Sequence, residues 1–227
     1  MARVIRTFQE AGGTIALREN GAHLDLVLGN VVLLSSAALE TELAFGRIAR
    51  ESVEGAVAAA AKPRVLVGGL GFGATTRGVL EVLPPGGEVI VVEKLATVVE
   101  IARTDAAHLA GGVLDDPRVT LVSADVADVI DRERDLSAIL LDVDNGPEWA
   151  SFRTNARLYA DAALGRARAA LRAGGLYAVW SGYARDAFVA RLRTAGFLTR
   201  IDPLEERGVV RARAYVGING AGSSRRP

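Results

Sequence analysis

The chain has 227 residues, half of them apolar and 24% charged, with 27 basic and 27 acidic side chains and no cysteine. That length supports one well-buried core with at most a small extra subdomain, and the lack of cysteine excludes disulfides and thiolate metal sites. No apolar run reaches ~18 residues, so no membrane span is expected; the N-terminal Met1-Ala2-Arg3-Val4-Ile5-Arg6 lacks a signal-peptide h-region, and a cytoplasmic protein is the expectation. The net charge of zero is unevenly spread. From Glu88 to Glu148 fourteen acids stand against five basic residues, and from Arg185 onward nine arginines stand against four acids. An acidic stretch favours a cationic ligand. The arginines are scattered and lack aromatic platforms, which argues against nucleic acid as a partner.

In chain order, residues 14–36 read as a β-meander. Strands at 14–17, 23–28 and 31–34 are joined at Asn20-Gly21 and Gly29-Asn30, both turn signals. An Ala-rich helical stretch follows over 37–61, as two helices or one kinked one because Gly46 and Gly55 interrupt it, and Pro63 ends it. From there strand and helix alternate. Strands fall at 65–67, 88–92, 119–122, 138–141 and 176–180, with helices at 75–83, 95–109, a short one after Asp125, 153–172 and 184–195. Strand candidates at 197–201 and 209–218 close the chain, and 219–227 read as a disordered tail. The alternation predicts an α/β fold with a doubly wound, mainly parallel, Rossmann-like sheet. The expected division is a meander at 1–36, a connecting helical segment at 37–62 and a nucleoside-binding domain at 63–218.

The apolar run Val65-Leu66-Val67 leads directly into Gly68, Gly69, Gly71 and Gly73, and then into a helix start. Such a corner lets backbone approach a ligand closely and presents free helix N–H groups. Glu93 lies twenty residues after Gly73 at the end of the second strand, where a carboxylate binds ribose hydroxyls. Asp125 follows the third strand and can accept from the exocyclic amine of a base. Asp142 and Asp144 follow the fourth and can hold or deprotonate an amine; Trp180-Ser181 ends the fifth. Each such acid taken singly is more often a cap or turn residue, so their recurrence on one sheet edge carries the signal. The cofactor-binding set is thus Gly69, Gly71, Phe72, Gly73, Glu93, Lys94, Asp125 and Val126, and the catalytic set Asp142 and Asp144.

Only His23 and His108 exist, without metal-ligand spacing, so no metal is expected. Gly-Lys-Ser/Thr never occurs, which excludes a P-loop. Gly69-Leu70-Gly71-Phe72-Gly73-Ala74 also satisfies a nicotinamide-dinucleotide fingerprint, but no substrate domain of useful size and no Lys/His/Tyr catalytic set accompanies it.

The meander, the connecting helix, the glycine corner and the fourth-strand aspartate together resemble the spermidine synthase (polyamine aminopropyltransferase) family, of the class I S-adenosylmethionine methyltransferase fold, over roughly residues 13–200. The resemblance pairs the corner with the family's Gly-Gly-Gly-Asp-Gly-Gly loop and Arg77 with the Arg after it. Glu93 corresponds to the ribose-binding Glu, Asp125 to the adenine-side Asp, Asp142 to the catalytic Asp and Gly146-Pro147 to the end of the catalytic loop. Phe72 stands where the family has the Asp that contacts the amine end of the donor. The family's Asp-Glu-Phe-x-Tyr-His-Glu segment survives only as Glu42-Leu43-Ala44-Phe45-Gly46-Arg47. The resemblance implies transfer of an aminopropyl or related alkyl group from S-adenosylmethionine or its decarboxylated form to a small amine held by Asp142, in a homodimer. The alternatives are a small-molecule methyltransferase using the same donor pocket, with Phe72 tolerant of the ordinary donor, and a non-catalytic relative.

Overall fold

Strand β5 (Arg64–Gly68) is the middle one of the five parallel strands in a seven-stranded sheet. The computed structural model describes residues 2–10, 12–143, 157–184 and 186–220. On one side of β5 lie β6 (Glu88–Glu93) and β7 (Val119–Ser123); on the other lie β8 (Leu136–Leu141) and β9 (Leu171–Ser181), all parallel. Then β11 (Val209–Ile218) pairs antiparallel with β9, and β10 (Leu198–Glu206) antiparallel with β11. Both faces of the parallel part are covered, which is why its strands read as continuous apolar runs. The pleat divides them: Val65, Val67, Val89, Val91, Ala138 and Leu140 enter one core, and Leu66, Ile90, Val92, Ile139 and Leu141 the other.

The first core is shared with an N-terminal antiparallel sheet, β1 (Arg3–Glu10), β2 (Gly13–Asn20), β3 (His23–Leu28) and β4 (Val31–Ser35), in that order. Ile15, Leu17 and Leu26 are completely or almost completely buried there, beside Phe45, Ala49 and Val53. The sheet thus has one strand more than its pattern predicts. Strand β1 is exposed at most positions on both faces, so no alternation marks it.

The stretch 37–61 forms α1 (Leu39–Arg47) and α2 (Arg50–Ala58). Helix α3 (Ala74–Val82) follows the glycine corner. Residues 95–109 form α4 (Ala96–Arg103) and α5 (Ala107–Ala110), separated where Thr104 leaves helical geometry at φ −124° and ψ −93°. Helix α6 (Val126–Arg132) follows β7; α7 (Asp161–Ala170) and α8 (Asp186–Thr194) cover the second core together with it.

Three expectations are corrected. The expected helix start at 153 lies outside the described residues, but the helix ends at Ala170 rather than 172 and β9 begins at Leu171 rather than 176, so Gly174 and Gly175 lie inside a strand whose register shifts beside them. Strand β10 continues through Pro203, a residue that sheets accept on edge strands such as this one. Asn219, expected in the tail, is tied down. Its amide nitrogen donates to the carbonyls of Leu171 and Arg172 at 3.1 Å, and its oxygen accepts from Arg168 Nε at 3.1 Å. Residues 221–227 lie outside the described residues.

Candidate active site

The strand order reverses between β5 and β8, and in open sheets of this kind the ligand crevice lies beyond the carboxyl ends at that point. The glycine corner leaves β5 there. Gly69, Gly71 and Gly73 adopt φ of +93°, +51° and +83°, a region that favours glycine. Their reasons differ. A Cβ on Gly69 would meet the Asp142 carbonyl oxygen at 2.2 Å, and one on Gly73 would press on Val113 and Ala110. A Cβ on Gly71 would meet nothing, so this glycine faces open space where a ligand can approach backbone. Gly73 caps α3 without a side-chain bond, leaving the first amides of the helix for a ligand or solvent.

Glu93 turns back toward this loop. Its Oε2 accepts from the Leu70 N–H at 2.9 Å and its Oε1 from the Leu95 N–H at 2.8 Å. Burial raises its carboxyl above the ordinary range, against the lowering effect of those backbone donors. Each oxygen keeps a lone pair for a hydroxyl donor. Two backbone bonds therefore fix a buried carboxylate at the tip of β6.

Beside the corner is a second group of acids. Asp142 follows β8, its N–H donating to the Gly68 carbonyl at 2.8 Å. The Thr75 hydroxyl, in the first turn of α3, donates to Asp142 Oδ2 at 2.6 Å and lies 3.3 Å from the Glu42 carbonyl oxygen. Helix α1 brings Glu42 against Asp142 because α1 and α3 cross at two glycines. A Cβ on Gly46 would meet the Thr75 carbonyl oxygen at 2.1 Å, and one on Gly78 the Leu43 carbonyl oxygen at 2.2 Å. Burial pushes the Asp142 carboxyl up to about 6 despite the Thr75 hydrogen bond. Glu42 is raised well above the ordinary range, first by burial and then by the charge of Asp142. Glu42 and Asp142 are both partly buried. Among the described residues, neither carboxylate has a basic partner. Burial disfavours ionisation of both carboxyls, and the charge of one opposes that of the other, an arrangement that an incoming cation relieves.

At the β7 tip, Asp125 caps α6 by accepting from the Ala127 N–H at 3.1 Å. Its other oxygen receives Arg157 Nη2 at 2.5 Å and Lys94 Nζ at 3.3 Å. Burial acts to raise this carboxyl, but Ala127, Arg157 and Lys94 together hold it below the ordinary range. The structure thus adds a capping and ion-pairing role to the residue expected to read a base. Lys94 is over half exposed in that pair. Phe72 is only 2% exposed and Val126 6%; Phe72 joins the first core, and Val126 packs where a Cβ on Gly68 would meet it at 2.8 Å. Trp180 Nε1 donates to Thr41 Oγ1 at 3.3 Å, joining β9 to α1. Asp144, Gly146 and Pro147 lie outside the described residues.

The corner, Glu93, Asp125 and Asp142 thus share one sheet edge. Glu42 and Thr75 are not in the site set expected from sequence, where Glu42 stands only as a remnant of a longer motif and Thr75 only as a helix start. The Gly46 and Gly78 pair was the available signal, because glycines inside two amphipathic helices mark a close crossing. Among the described residues no group of three or more His, Cys, Asp or Glu is placed to hold a metal ion, and no helix is long and apolar enough to cross a membrane.

No protein-family model matches the chain, and no curated protein matches it in sequence. Solved structures do match in fold. A spermidine synthase in complex with the transition-state analogue AdoDATO aligns with a TM-score of 0.73 at 19% identity, over 96% of this chain and 73% of that one. A spermidine synthase from Thermotoga maritima gives 0.74 at 19% identity with the same coverage. A probable spermidine synthase from Corynebacterium glutamicum gives 0.61 at 17%, over 96% and 81%. The chain therefore shares the fold of these spermidine synthases over 96% of its length.

Proposed function

We propose that this protein is a spermidine synthase-like transferase that moves an aminopropyl or related alkyl group from a sulfonium nucleoside to a small amine. The Glu42 and Asp142 pair carries this reading, as two shielded carboxyls beside the glycine corner with no basic partner among the described residues. The amine enters as an ammonium and gives up its proton toward Asp142. Its nitrogen lone pair then attacks the carbon next to the sulfonium. The carbon–sulfur bond breaks, and its electrons leave on sulfur as a neutral thioether. The positive charge moves from sulfur to nitrogen, beside the acid pair, so the pair's negative charge stabilises the product side of the transition state.

The nucleoside lies on the corner, with ribose hydroxyls at Glu93 and the backbone approaching at Gly71. Lys94, Asp125 and Val126 border the base, Gly69 and Gly73 shape the loop, and Asp144 assists Asp142. Phe72, packed inward, supplies an apolar loop without a carboxylate for the donor's tail. The donor is S-adenosylmethionine or its decarboxylated form, the acceptor is a small amine, and the protein works as a homodimer.

Calorimetry with S-adenosylmethionine, its decarboxylated form, methylthioadenosine and NAD tests the donor. Binding of a sulfonium nucleoside and of methylthioadenosine, but not NAD, is expected, followed by alkyl transfer to an amine that Asp142→Asn strongly lowers. Binding of NAD alone would overturn the reading. Methyl transfer without alkyl transfer would convert it to the methyltransferase alternative, and nucleoside binding without turnover to the non-catalytic one.

A further inference from the structure

The chain's first strand does more than extend the small sheet. Side chains of β1 reach α4 and hold it at three places. Glu10 accepts from the N–H groups of Ala96 and Thr97, both at 2.8 Å. Arg6 pairs with Glu100 one turn further on and with Asp105 at 3.1 Å just beyond the helix. Helix α4 has no cap of its own, since Leu95 at its N-cap offers no side-chain bond. Its free amides are therefore divided between two carboxylates from different parts of the chain. Glu93 takes Leu95, and Glu10 takes Ala96 and Thr97.

That division has a consequence for the nucleoside corner. The bond from Leu95 is one of the two that aim Glu93, and Leu95 is followed directly by the two amides that Glu10 grips. The Glu10 charge also acts on Glu93, raising its carboxyl slightly further. Without Glu10, two donors at the positive end of α4 would lose their partner directly beside the Leu95 amide that aims Glu93.

We infer that Glu10 is a positioning residue for the nucleoside, keeping the 93–97 turn in the one conformation that aims Glu93 at the ribose. This rests on the sulfonium-nucleoside reading above. It makes the N-terminal sheet a working part of the donor site, reached through a single carboxylate on an edge strand.

The test compares the full-length protein with Glu10→Ala, Glu10→Gln and the control Arg6→Ala, which weakens the same strand–helix contact away from the turn. Methylthioadenosine affinity is measured by calorimetry, thermal stability by calorimetric unfolding, and exchange of the 93–97 amides by mass spectrometry. Glu10→Ala should weaken methylthioadenosine about tenfold and speed exchange at 93–97. It should raise donor KM while leaving kcat nearly unchanged. Glu10→Gln, which keeps one acceptor oxygen, should recover most of the affinity. Arg6→Ala should lower stability without changing affinity. Unchanged affinity in Glu10→Ala, or equal losses in Glu10→Ala and Arg6→Ala, would overturn the positioning role while leaving the function reading intact. Failure of the unaltered protein to bind methylthioadenosine would overturn both.

Discussion

Asp142 stands at the site at a cost in stability. Its folded-state value of about 6 lies above the 3.8 of a free aspartate. Between those values the native chain binds more protons than the unfolded one, so stability falls as pH rises through that window and stays reduced above it. Asp142→Asn should therefore raise the unfolding temperature at neutral pH by the equivalent of about 1–2 kcal/mol, allowing for solvent screening of a partly buried group. Little gain is expected near pH ~3.5, where both states are protonated, and calorimetric scans at the two pH values check this. The same substitution should lower alkyl transfer by about a hundredfold or more. Glu42→Gln leaves in place the burial that raises Asp142, so the acid limb of the rate profile should stay near pH 6 while the KM for the amine rises; an unchanged amine KM would remove Glu42 from the site. At Asp125, Arg157→Gln should leave the α6 cap in place and change nucleoside affinity with a reduced salt dependence, measured by calorimetry at two ionic strengths.

Between elements, the crossing of α1 and α3 decides the site. Gly46 and Gly78 sit so close that neither tolerates a methyl group without moving backbone. Gly46→Ala should destabilise by about 1–3 kcal/mol and separate Glu42 from Thr75 and Asp142. Activity should then fall further than stability predicts, read from turnover at a temperature where the variant is fully folded. A glycine usually weakens a helix interior, and here packing outweighs propensity. Elsewhere, one side chain closes a helix end. Arg118 donates to the carbonyls of Leu80 and Leu83 at 3.2 and 2.8 Å, at the end of α3.

At the scale of the molecule, two sheets share one core, and the smaller one still exposes apolar groups. Val4, Ile5, Val31 and Val32 are 36–57% exposed on its outer strands. Lying on the two unpaired edge strands, these residues are candidate contacts for the proposed homodimer. Light scattering should give twice the chain mass of 23.8 kDa, and a Val4→Lys, Val32→Lys double variant should shift it to one chain mass. A single-chain mass for the unaltered protein at micromolar concentration would remove the dimer.

Much of this was readable in one dimension. Apolar runs with glycine and proline boundaries determine the parallel strands, because a strand buried on both faces leaves an uninterrupted signature. The positive-φ corner and the acids at the strand tips follow from local chemistry and spacing. Strand β1 was not readable because it is exposed on both faces and owes its place to pairing and to Glu10 and Arg6. The site's second carboxyl was not readable either. Glu42 and Asp142 are a hundred residues apart, and only the glycine crossing of two helices brings their charges together. Sequence determined which groups stand at the sheet edge; tertiary packing decided which of them face each other, because proximity between distant helices depends on backbone approach that no local pattern encodes.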